Sequence, residues 1–305
     1  MRNSNGKIRF FVTGANGQLG TDLVREILGR NYECVGSDIT ENFSGAENFR
    51  YVKLDITNHE QVEKVIEAVK PDRVIHCAAW TAVDAAEDEA NKKIVRAVNV
   101  TGTENIAKAC RKNNCVMTYI STDYVFHGNG VEPWKPDEQN FEPLNFYGQS
   151  KLDGEFAVRD NLENFFIVRI AWAFGANGRN FVETMLNLAK RYDTLRVVND
   201  QIGTPTYTPD LARLLVDINE TDKFGIYHAT NEGGFISWYD FACEIFRQAN
   251  VNVNVIPVTT EEYGLSKAKR PFNSRLDKSK LQESGFELLP AWQNALRRYL
   301  EHHAN

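Results

Sequence analysis

Short apolar runs alternate with amphipathic segments along the first two thirds of the chain. The apolar runs have the length and β-branched content of strands, whereas the segments between them repeat apolar positions every three to four residues, which predicts helices. Strict alternation with short links is typical of a doubly wound parallel α/β sheet that binds ligands at the carboxyl ends of its strands. The predicted strands are Lys7–Thr13, Glu33–Gly36, Tyr51–Asp55, Arg73–Ala79, Val116–Ser121 and Phe165–Ala171.

The first predicted strand leads into a glycine-rich turn, Gly14-Ala15-Asn16-Gly17-Gln18-Leu19-Gly20, and then into a helical pattern. This order is the context of a dinucleotide site, because the glycines let the backbone approach a diphosphate and the helix N-terminus faces its charge. The spacing is GxxGxxG rather than the more general GxGxxG, so a glycine turn without a ligand is the alternative. The cofactor contacts predicted here are Gly14, Asn16, Gly17, Gln18, Leu19 and Gly20.

Further cofactor contacts are predicted where the next strands end. Asp38 follows the second strand, where a carboxylate accepts hydrogen bonds from ribose hydroxyls and favours NAD(H) over a 2′-phosphate. A neighbouring arginine would still admit NADP(H), and capping of a turn is the alternative role for Asp38. The predicted contacts are Asp38, Asp55, Ile56, Ala78, Ala79 and Trp80, with Asn99 in the amphipathic segment Lys92–Lys112.

Tyr147 and Lys151 are four residues apart in a predicted helix, so both side chains lie on one side of it. A nearby ammonium favours the phenolate, and we expect Lys151 to lower the pKa of Tyr147 from about 10 towards the range useful for proton transfer to a carbonyl oxygen. Thr122 or Ser121, at the end of the fifth strand, could hydrogen-bond the same oxygen. An ordinary surface pair is the alternative, and the glycine turn upstream argues against it.

Composition excludes several classes of protein. The 305 residues carry a net charge of −6, which argues against a surface for nucleic acid. No apolar run reaches membrane-spanning length, and the polar start Met1–Gly6 lacks the apolar core of a signal peptide. Five cysteines without a CxxC pattern are typical of reduced thiols, so we predict a cytoplasmic protein without a metal site.

Three features of the second half suggest a second ligand. Trp172, directly after the sixth strand, could stack on a flat substrate group, although a core position suits it equally. Lys267–Arg275, which includes Arg270, is the one basic cluster of an acidic chain and would suit a substrate diphosphate or a solvated surface. The polar turn Asp200–Thr206 is predicted to line a pocket.

The alternation weakens beyond the predicted helix Asn180–Tyr192, which indicates a smaller second lobe. A helix at Pro209–Ile218 and a strand at Gly225–Ala229 return briefly to the earlier pattern. We therefore predict a Rossmann-like, dinucleotide-binding domain and a smaller substrate-binding lobe. Their predicted extents are residues 1–175 with 208–230 for the domain, and 176–207 with 231–305 for the lobe.

The glycine turn, Ala78-Ala79, Ser121-Thr122-Asp123 and Tyr147-x-x-x-Lys151, in this order, resemble the extended short-chain dehydrogenase/reductase family. Within it the chain is similar to nucleotide-sugar reductases from Lys7 to about Arg275, through CAAWTAVDAAE, STDYVFHG, PLNFYGQSK, RIAWAFG and DQIGTPT. The resemblance implies NADPH or NADH as cofactor. It further implies reduction of the C4 ketone of dTDP-4-dehydro-β-L-rhamnose to dTDP-β-L-rhamnose.

The resemblance also implies a role for each matched residue. Tyr147 would donate the proton, Lys151 would lower its pKa and hold the nicotinamide ribose, and Thr122 would orient the carbonyl. Asp123 and Trp172 would contact the substrate. The expected partner is a small nucleotide-sugar, and the expected assembly is a monomer or homodimer.

Related enzymes of this fold carry out other reactions. Nucleotide-sugar dehydratases have Thr-Asp-Glu where this chain has Thr122-Asp123-Tyr124, so reduction alone fits better than elimination of water. Epimerisation is an alternative, because a tyrosine and a cofactor would suffice for it. The resemblance extends to the β regulatory subunit of methionine adenosyltransferase, a non-catalytic NADP-binding protein, and such a role is the second alternative.

Overall fold

The computed structural model describes residues 7–43, 45 and 49–303. Met1–Gly6, for which the sequence predicts no signal peptide, lies outside the described residues. The strands are β1 (Arg9–Thr13), β2 (Glu33–Asp38), β3 (Arg50–Lys53), β4 (Arg73–His76), β5 (Val116–Thr122), β6 (Phe165–Ile170), β7 (Ala173–Phe174), β8 (Thr194–Val198), β9 (Ile202–Gly203), β10 (Thr206–Tyr207), β11 (Gly225–His228), β12 (Asn231–Glu232), β13 (Ile236–Ser237), β14 (Asn254–Val258) and β15 (Leu289–Ala291).

Seven parallel strands form the main sheet in the order β11-β6-β5-β4-β1-β2-β3. The predicted doubly wound parallel sheet is therefore confirmed. Chain order reverses between β1 and β4, the point where sheets of this kind open a crevice for a ligand. The helices are α1 (Gln18–Gly29), α2 (His59–Val69), α3 (Val83–Ala86), α4 (Glu89–Arg96), α5 (Thr103–Asn113), α6 (Phe146–Asn161), α7 (Phe181–Ala189), α8 (Thr208–Asn219), α9 (Trp238–Ala249), α10 (Thr260–Tyr263), α11 (Ser279–Glu283) and α12 (Trp292–His303).

Helices cover both faces of the main sheet. Because strand side chains alternate between faces, Phe10 and Val12 of β1 pack in the core beneath α1 and α8. Phe11 packs in the core on the other face, beneath α2, α5 and α6. These two apolar layers hold β1 rigidly, so the turn that follows it has a fixed position.

The predicted amphipathic segment Lys92–Lys112 is helical throughout. A π-helical segment, Ala97–Gly102, joins α4 directly to α5. Gly102 is needed there for packing, since a Cβ atom at this position would lie 2.6 Å from Cδ1 of Ile56. Such π segments are frequent near functional sites, and this one carries Asn99.

A separate apolar core lies outside the main sheet, formed mainly by α7, α9 and α12 with the parallel pair β8 and β14. Phe241, Trp292 and Tyr299 are buried at its centre. The last thirty residues, for which the sequence offered no motif, thus supply part of this core. The predicted domain extents stay a prediction.

No helix in the described part of the chain is long and apolar enough to span a bilayer. Among the same residues, no group of three His, Cys, Asp or Glu side chains could hold a metal ion. All five cysteines are free thiols.

Candidate active site

Two adjoining cavities lie at the carboxyl ends of β1, β2, β4 and β5, at the reversal between β1 and β4. One has a volume of about 230 Å³ and reaches β2, and the other, of about 600 Å³, reaches β5 and β6. Four residues line both cavities, namely Gly14, Gly17, Cys77 and Ala79, so the two form one elongated cleft.

The glycine turn is shaped by close backbone contacts. Gly14 has φ +68°, and a Cβ atom there would lie 2.6 Å from the amide nitrogen of Ala78. A Cβ atom on Gly20 would lie 2.0 Å from the carbonyl oxygen of Gly14. Gly17 is the N-cap of α1 and provides no side-chain acceptor, so the first amides of that helix remain available to an anion.

Asp38 and Asp55 line the smaller cavity, as predicted from the strand ends. Asp38 accepts hydrogen bonds from the backbone amides of Asn16, at 3.1 Å, and Ile39, at 2.7 Å. Asp55 accepts from the amide and the hydroxyl of Thr57, at 2.9 and 2.7 Å. Both carboxylates are thus oriented by their own turns.

Most of the other predicted cofactor residues also line the cleft, whereas the side chain of Asn16 does not. The side-chain nitrogen Nδ2 of Asn16 donates to the hydroxyls of Thr40 and Tyr51 and to the carbonyl of Asn42. These hydrogen bonds hold the loop after β2. The lining residues shared with the prediction are Gly14, Gly17, Gln18, Leu19, Gly20, Asp38, Asp55, Ile56, Ala78, Ala79, Tyr147 and Lys151.

Asn99 and Trp80 do not line either cavity. The Asn99 side chain accepts from the backbone amide of Trp80, at 2.8 Å, and donates to its carbonyl, at 3.1 Å. It also donates to Ser150, whose hydroxyl donates to the carbonyl oxygen of Tyr147 at 2.7 Å. Asn99 therefore ties the end of β4 to the helix that carries Tyr147.

Tyr147, Thr122 and Asp123 meet in the larger cavity. The Thr122 hydroxyl donates to Oδ1 of Asp123 at 3.0 Å and accepts from the backbone amide of Tyr124 at 3.2 Å. Burial raises the pKa of Tyr147, the nearby Asp123 carboxylate adds to the effect, and the Thr122 hydroxyl opposes it. The net shift is upward, opposite to the lowering expected from Lys151, because burial dominates it.

Lys151 lines the same cavity, but its ammonium is held by the floor of the site. Its Nζ donates to the carbonyl oxygen of Ile120 at 2.7 Å and lies 4.0 Å from the ring centre of Tyr119. Burial lowers the pKa of Lys151 to about 7, and the nearby Glu155 carboxylate opposes the shift. Lys151 therefore titrates close to neutral pH.

Asp123 is buried, and only one of its two carboxylate oxygens accepts a side-chain hydrogen bond. Its Oδ2 is a buried acceptor without a hydrogen-bond partner in the described part of the chain. Burial raises the pKa of Asp123 to about 6, and the hydroxyls of Ser274 and Thr122 oppose the shift. Buried acceptors are normally paired, so this oxygen is a candidate contact for a ligand hydroxyl.

Ser121 faces the cavity from above a buried ion pair that the sequence did not predict. The Ser121 hydroxyl donates to Oε1 of Glu155 at 2.5 Å, and Arg169 donates to both Glu155 oxygens at 2.8 and 2.7 Å. Both charged side chains are fully buried. Since its hydrogen is used by Glu155, Ser121 is a poorer donor to a ligand than Thr122.

Trp172 lines the cavity and stacks on Trp238, with ring centres 3.7 Å apart. Its backbone has φ +53°, a left-handed conformation that is rare and costly for a bulky residue. Hydrogen bonds from Thr206 to the carbonyls of Ala171 and Trp172 hold it there. The turn Asp200–Thr206 thus supports Trp172. Contrary to the prediction, the turn lines neither cavity.

Arg270 does not line either cavity. Its guanidinium donates to both oxygens of Asp84, at 3.1 and 2.7 Å, and Lys267 pairs with Asp88. The basic cluster is therefore partly neutralised by α3 and the residue before α4. Its role as a substrate contact stays a prediction.

Several lining residues were missed because no local motif marks them. Tyr124 lies edge-on to Tyr147, with ring centres 5.8 Å apart, and Trp238 comes from a distant helix. The other lining residues that were not predicted are Ser37, Ile39, Leu54, Cys77, Thr81, Val83, Val98, Ile120, Ile170, Ala171, Ala173, Gly178, Arg179 and Thr208.

The cleft fits a dinucleotide. Gly14 and Gly17 lie at its middle, where their lack of Cβ atoms and the free amides of α1 would admit a diphosphate. Asp38 lies at one end, where ribose hydroxyls would need an acceptor, and Tyr147 and Lys151 lie at the other. These donors and acceptors match the parts of NAD(H) or NADP(H) in order along the cleft.

Comparisons with known proteins agree with this geometry. Residues 8–305 match the family model described as the RmlD substrate binding domain. The chain is 41% identical over 303 residues to a dTDP-4-dehydrorhamnose reductase of Aggregatibacter actinomycetemcomitans, and the match covers 95% of this chain and 97% of that protein.

Two solved structures share the fold along nearly the whole chain. The dTDP-4-dehydrorhamnose reductase of Bacillus anthracis, in complex with NADP, is 40% identical with a TM-score of 0.88, and the match covers 97% of this chain and 99% of that one. The dTDP-4-dehydrorhamnose reductase of Clostridium acetobutylicum is 38% identical with a TM-score of 0.89, and the match covers 98% and 100%. The resemblance seen in the sequence motifs is confirmed, and the chain belongs to the RmlD substrate binding domain family, that of the dTDP-4-dehydrorhamnose reductases.

Proposed function

We propose that this chain reduces the C4 ketone of dTDP-4-dehydro-β-L-rhamnose to dTDP-β-L-rhamnose, the last step of dTDP-L-rhamnose synthesis, with NADPH or NADH. One observation carries the proposal. Tyr147, Lys151 and Thr122 line the same cavity as the glycine turn that would bind the cofactor diphosphate. The relatives' names favour a reductase over the regulatory-subunit alternative.

Tyr147 is the proton donor in this proposal. Its raised pKa means that the phenol carries its proton at neutral pH, which is the state a donor requires. As negative charge develops on the ketone oxygen, Tyr147 transfers its proton and the C4 hydroxyl forms. When bound, a reduced nicotinamide supplies the hydride that the ketone carbon receives.

Lys151 and Thr122 stabilise the charge that develops during this transfer. An ammonium at Lys151 lowers the energy of the Tyr147 phenolate, and preorganised charges of this kind are effective in a cavity that excludes water. The Thr122 hydroxyl donates to Asp123 in the structure. Rotation of its hydrogen towards the cavity would direct that donor to the ketone oxygen.

Asp123 and Trp172 are the proposed contacts of the sugar. The unpaired Oδ2 of Asp123 would accept a hydrogen bond from a sugar hydroxyl, which would satisfy a buried acceptor. The Trp172 ring, supported by Trp238, offers an apolar face to the pyranose. The protein would act in the cytoplasm on this small-molecule substrate, as a monomer or homodimer.

The cofactor would extend along the cleft. Asp38, Asp55 and Ile56 would hold the adenosine, and the turn from Gly14 to Gly20 would hold the diphosphate. Ala78 and Ala79 would allow the backbone to approach it, and Asn16, Trp80 and Asn99 would act indirectly, through the hydrogen bonds that shape the cleft.

The test is direct turnover. Purified protein is mixed with NADPH or NADH and dTDP-4-dehydro-β-L-rhamnose, loss of the reduced-nicotinamide absorbance is followed, and the product is identified by NMR. We expect one dTDP-β-L-rhamnose for each cofactor oxidised. Cofactor binding without any turnover of the 4-keto-sugar would support the regulatory alternative, and product inverted at another carbon would support an epimerase.

A further inference from the structure

Charged side chains are few on the wall of the larger cavity. Among its lining residues in the described part of the chain, the cations are Lys151 and Arg179 and the anion is Asp123. Lys151 is buried and held by the carbonyl of Ile120. Arg179 is exposed and, among the described residues, has neither an ion pair nor a side-chain hydrogen bond. The cavity thus offers one uncommitted cation in a chain of net charge −6.

The loop that carries Arg179 is docked on the first turn of α1. The Asn180 side chain donates to Oε1 of Gln18 at 3.2 Å and to the carbonyl of Gly175 at 2.9 Å. At Gly178, whose φ is +88°, a Cβ atom would lie 3.9 Å from Cβ of Gln18. Gln18 itself lines the cavity beside the glycine turn. Arg179 is therefore presented from across the cleft, close to the N-terminus of α1.

An anion at this place would be attracted from two sides. The N-terminus of α1 carries unpaired amides and the positive end of the helix dipole, and its N-cap Gly17 supplies no competing side chain. A guanidinium offers several N–H donors in a planar fork that matches phosphate oxygens. Among the residues that the structure describes, neither group is neutralised by an acidic neighbour in the way that Asp84 neutralises Arg270.

We propose that Arg179 is a diphosphate-binding residue, which closes the cleft over the diphosphate from the side opposite the glycine turn. The inference rests on the proposed function for the identity of the ligands, because both the dinucleotide and the nucleotide-sugar carry a diphosphate. The docking of its loop on Gln18 favours the dinucleotide. The sequence analysis assigned diphosphate binding to the basic cluster around Arg270. In this proposal Arg179 would supply that cation instead.

The test compares Arg179→Gln and Arg179→Lys with Arg191→Gln. Arg179 lies two residues before α7 and Arg191 two residues after it, and both are exposed, so the control removes the same charge from the same lobe away from the cavity. Binding of NADPH, NADH and dTDP is measured by calorimetry at low and moderate salt. All three variants are expected to fold, since neither arginine is buried.

We expect Arg179→Gln to weaken NADPH and NADH binding by about 10- to 100-fold, the usual effect of a charged hydrogen bond, and to reduce its salt dependence. Arg179→Lys should recover part of the loss, and Arg191→Gln should bind as the wild type does. If Arg179→Gln weakened the binding of dTDP but not of NADPH or NADH, this would also support the inference and would place the diphosphate of the nucleotide-sugar at Arg179. Binding of all three ligands within twofold of the Arg191→Gln control would overturn it.

The two proposals fail separately. Wild-type turnover of the 4-keto-sugar with unaffected binding in Arg179→Gln would reject the role of Arg179 and leave the proposed function intact. Binding that depends on Arg179, together with no wild-type turnover, would reject the proposed function instead.

Discussion

The two ends of the cleft differ in what they contribute to stability. At the dinucleotide end, Gly14 and Gly20 allow backbone segments to pack in close contact, and Asp38 is satisfied by two backbone amides. At the other end, the proposed sugar-binding end (the sugar end), Trp172 has a left-handed backbone and Asp123 has a buried oxygen without a hydrogen-bond partner among the described residues. Features of the second kind cost free energy and persist only where the surrounding fold enforces them.

This difference distinguishes residues that serve folding and cofactor binding from residues proposed to serve the reaction. Residues at the dinucleotide end serve folding and binding together, so a change there should damage both. In the proposed function, residues at the sugar end would serve the reaction at the expense of stability, as is common in active sites. A variant at the sugar end should therefore lose activity while keeping, or even gaining, stability.

The largest expected effect is that of Tyr147→Phe. The variant lacks the proposed proton donor, and we expect kcat to fall by about 1000-fold, within the range typical of general acids. Dinucleotide affinity and the melting temperature should stay close to the wild-type values. The matched control is Tyr124→Phe, which removes a neighbouring phenol 5.8 Å away between ring centres. If the control lost activity and Tyr147→Phe did not, the donor would be misassigned.

At the dinucleotide end, Gly20→Ala should damage folding and binding together. The new Cβ atom would lie 2.0 Å from the carbonyl oxygen of Gly14, a backbone atom that cannot move aside. We expect a loss of about 3 kcal/mol in the free energy of unfolding, measured by urea denaturation, and loss of dinucleotide binding. Gly29→Ala is the control in the same helix, since its Cβ would meet nothing within 4 Å. The control should be neutral or slightly stabilising.

The dinucleotide end could be predicted from sequence because its parts are contiguous. Strand, glycine turn and helix follow one another, and Asp38 ends the next strand, so local patterns placed them correctly in the cleft. The wall around Trp238 and Arg179 is assembled from segments far apart in the chain, and no periodicity predicts such contacts. Sequence also cannot show which way one side chain points, and Asn99 proved to be a brace for α6.

The pKa of Tyr147 shows a second limit. The helical spacing to Lys151 was predicted correctly, and both side chains line the cavity. The direction of the Tyr147 pKa shift was predicted wrongly. It depends on how deeply each group is buried, and burial is a property of the whole fold.

Asp123→Asn should be more stable than the wild type at neutral pH. In the folded protein Asp123 keeps its proton up to about pH 6, whereas in the unfolded chain it loses the proton near its ordinary pKa of 3.8. Stability from this group is therefore present at low pH and is lost as pH rises through about 6. Removing the carboxylate should restore up to about 3 kcal/mol at pH 7, measured by urea denaturation.

The gain in Asp123→Asn should disappear when unfolding is measured near pH 4. Exposed Asp160→Asn, which changes the net charge equally, is the matched control. Activity of Asp123→Asn should fall because the sugar loses an anionic acceptor. A variant that is less stable than the wild type at neutral pH would show that Asp123 stabilises the fold. The two ends of the cleft would then not differ in stability in the way described above.

The smallest expected effect is a pH dependence set by Lys151. Burial lowers its pKa to about 7, so its ammonium is present below this pH and is lost above it. Since the ammonium is proposed to stabilise the Tyr147 phenolate, kcat/KM for ketone reduction should decline on the alkaline side of pH 7, by up to about tenfold per pH unit. Lys151→Arg keeps its charge at all these pH values, so its kcat/KM, although lower at neutral pH, should show no decline in this range. An alkaline decline that persists unchanged in Lys151→Arg would assign the titration to another group and remove Lys151 from the stabilisation of the phenolate.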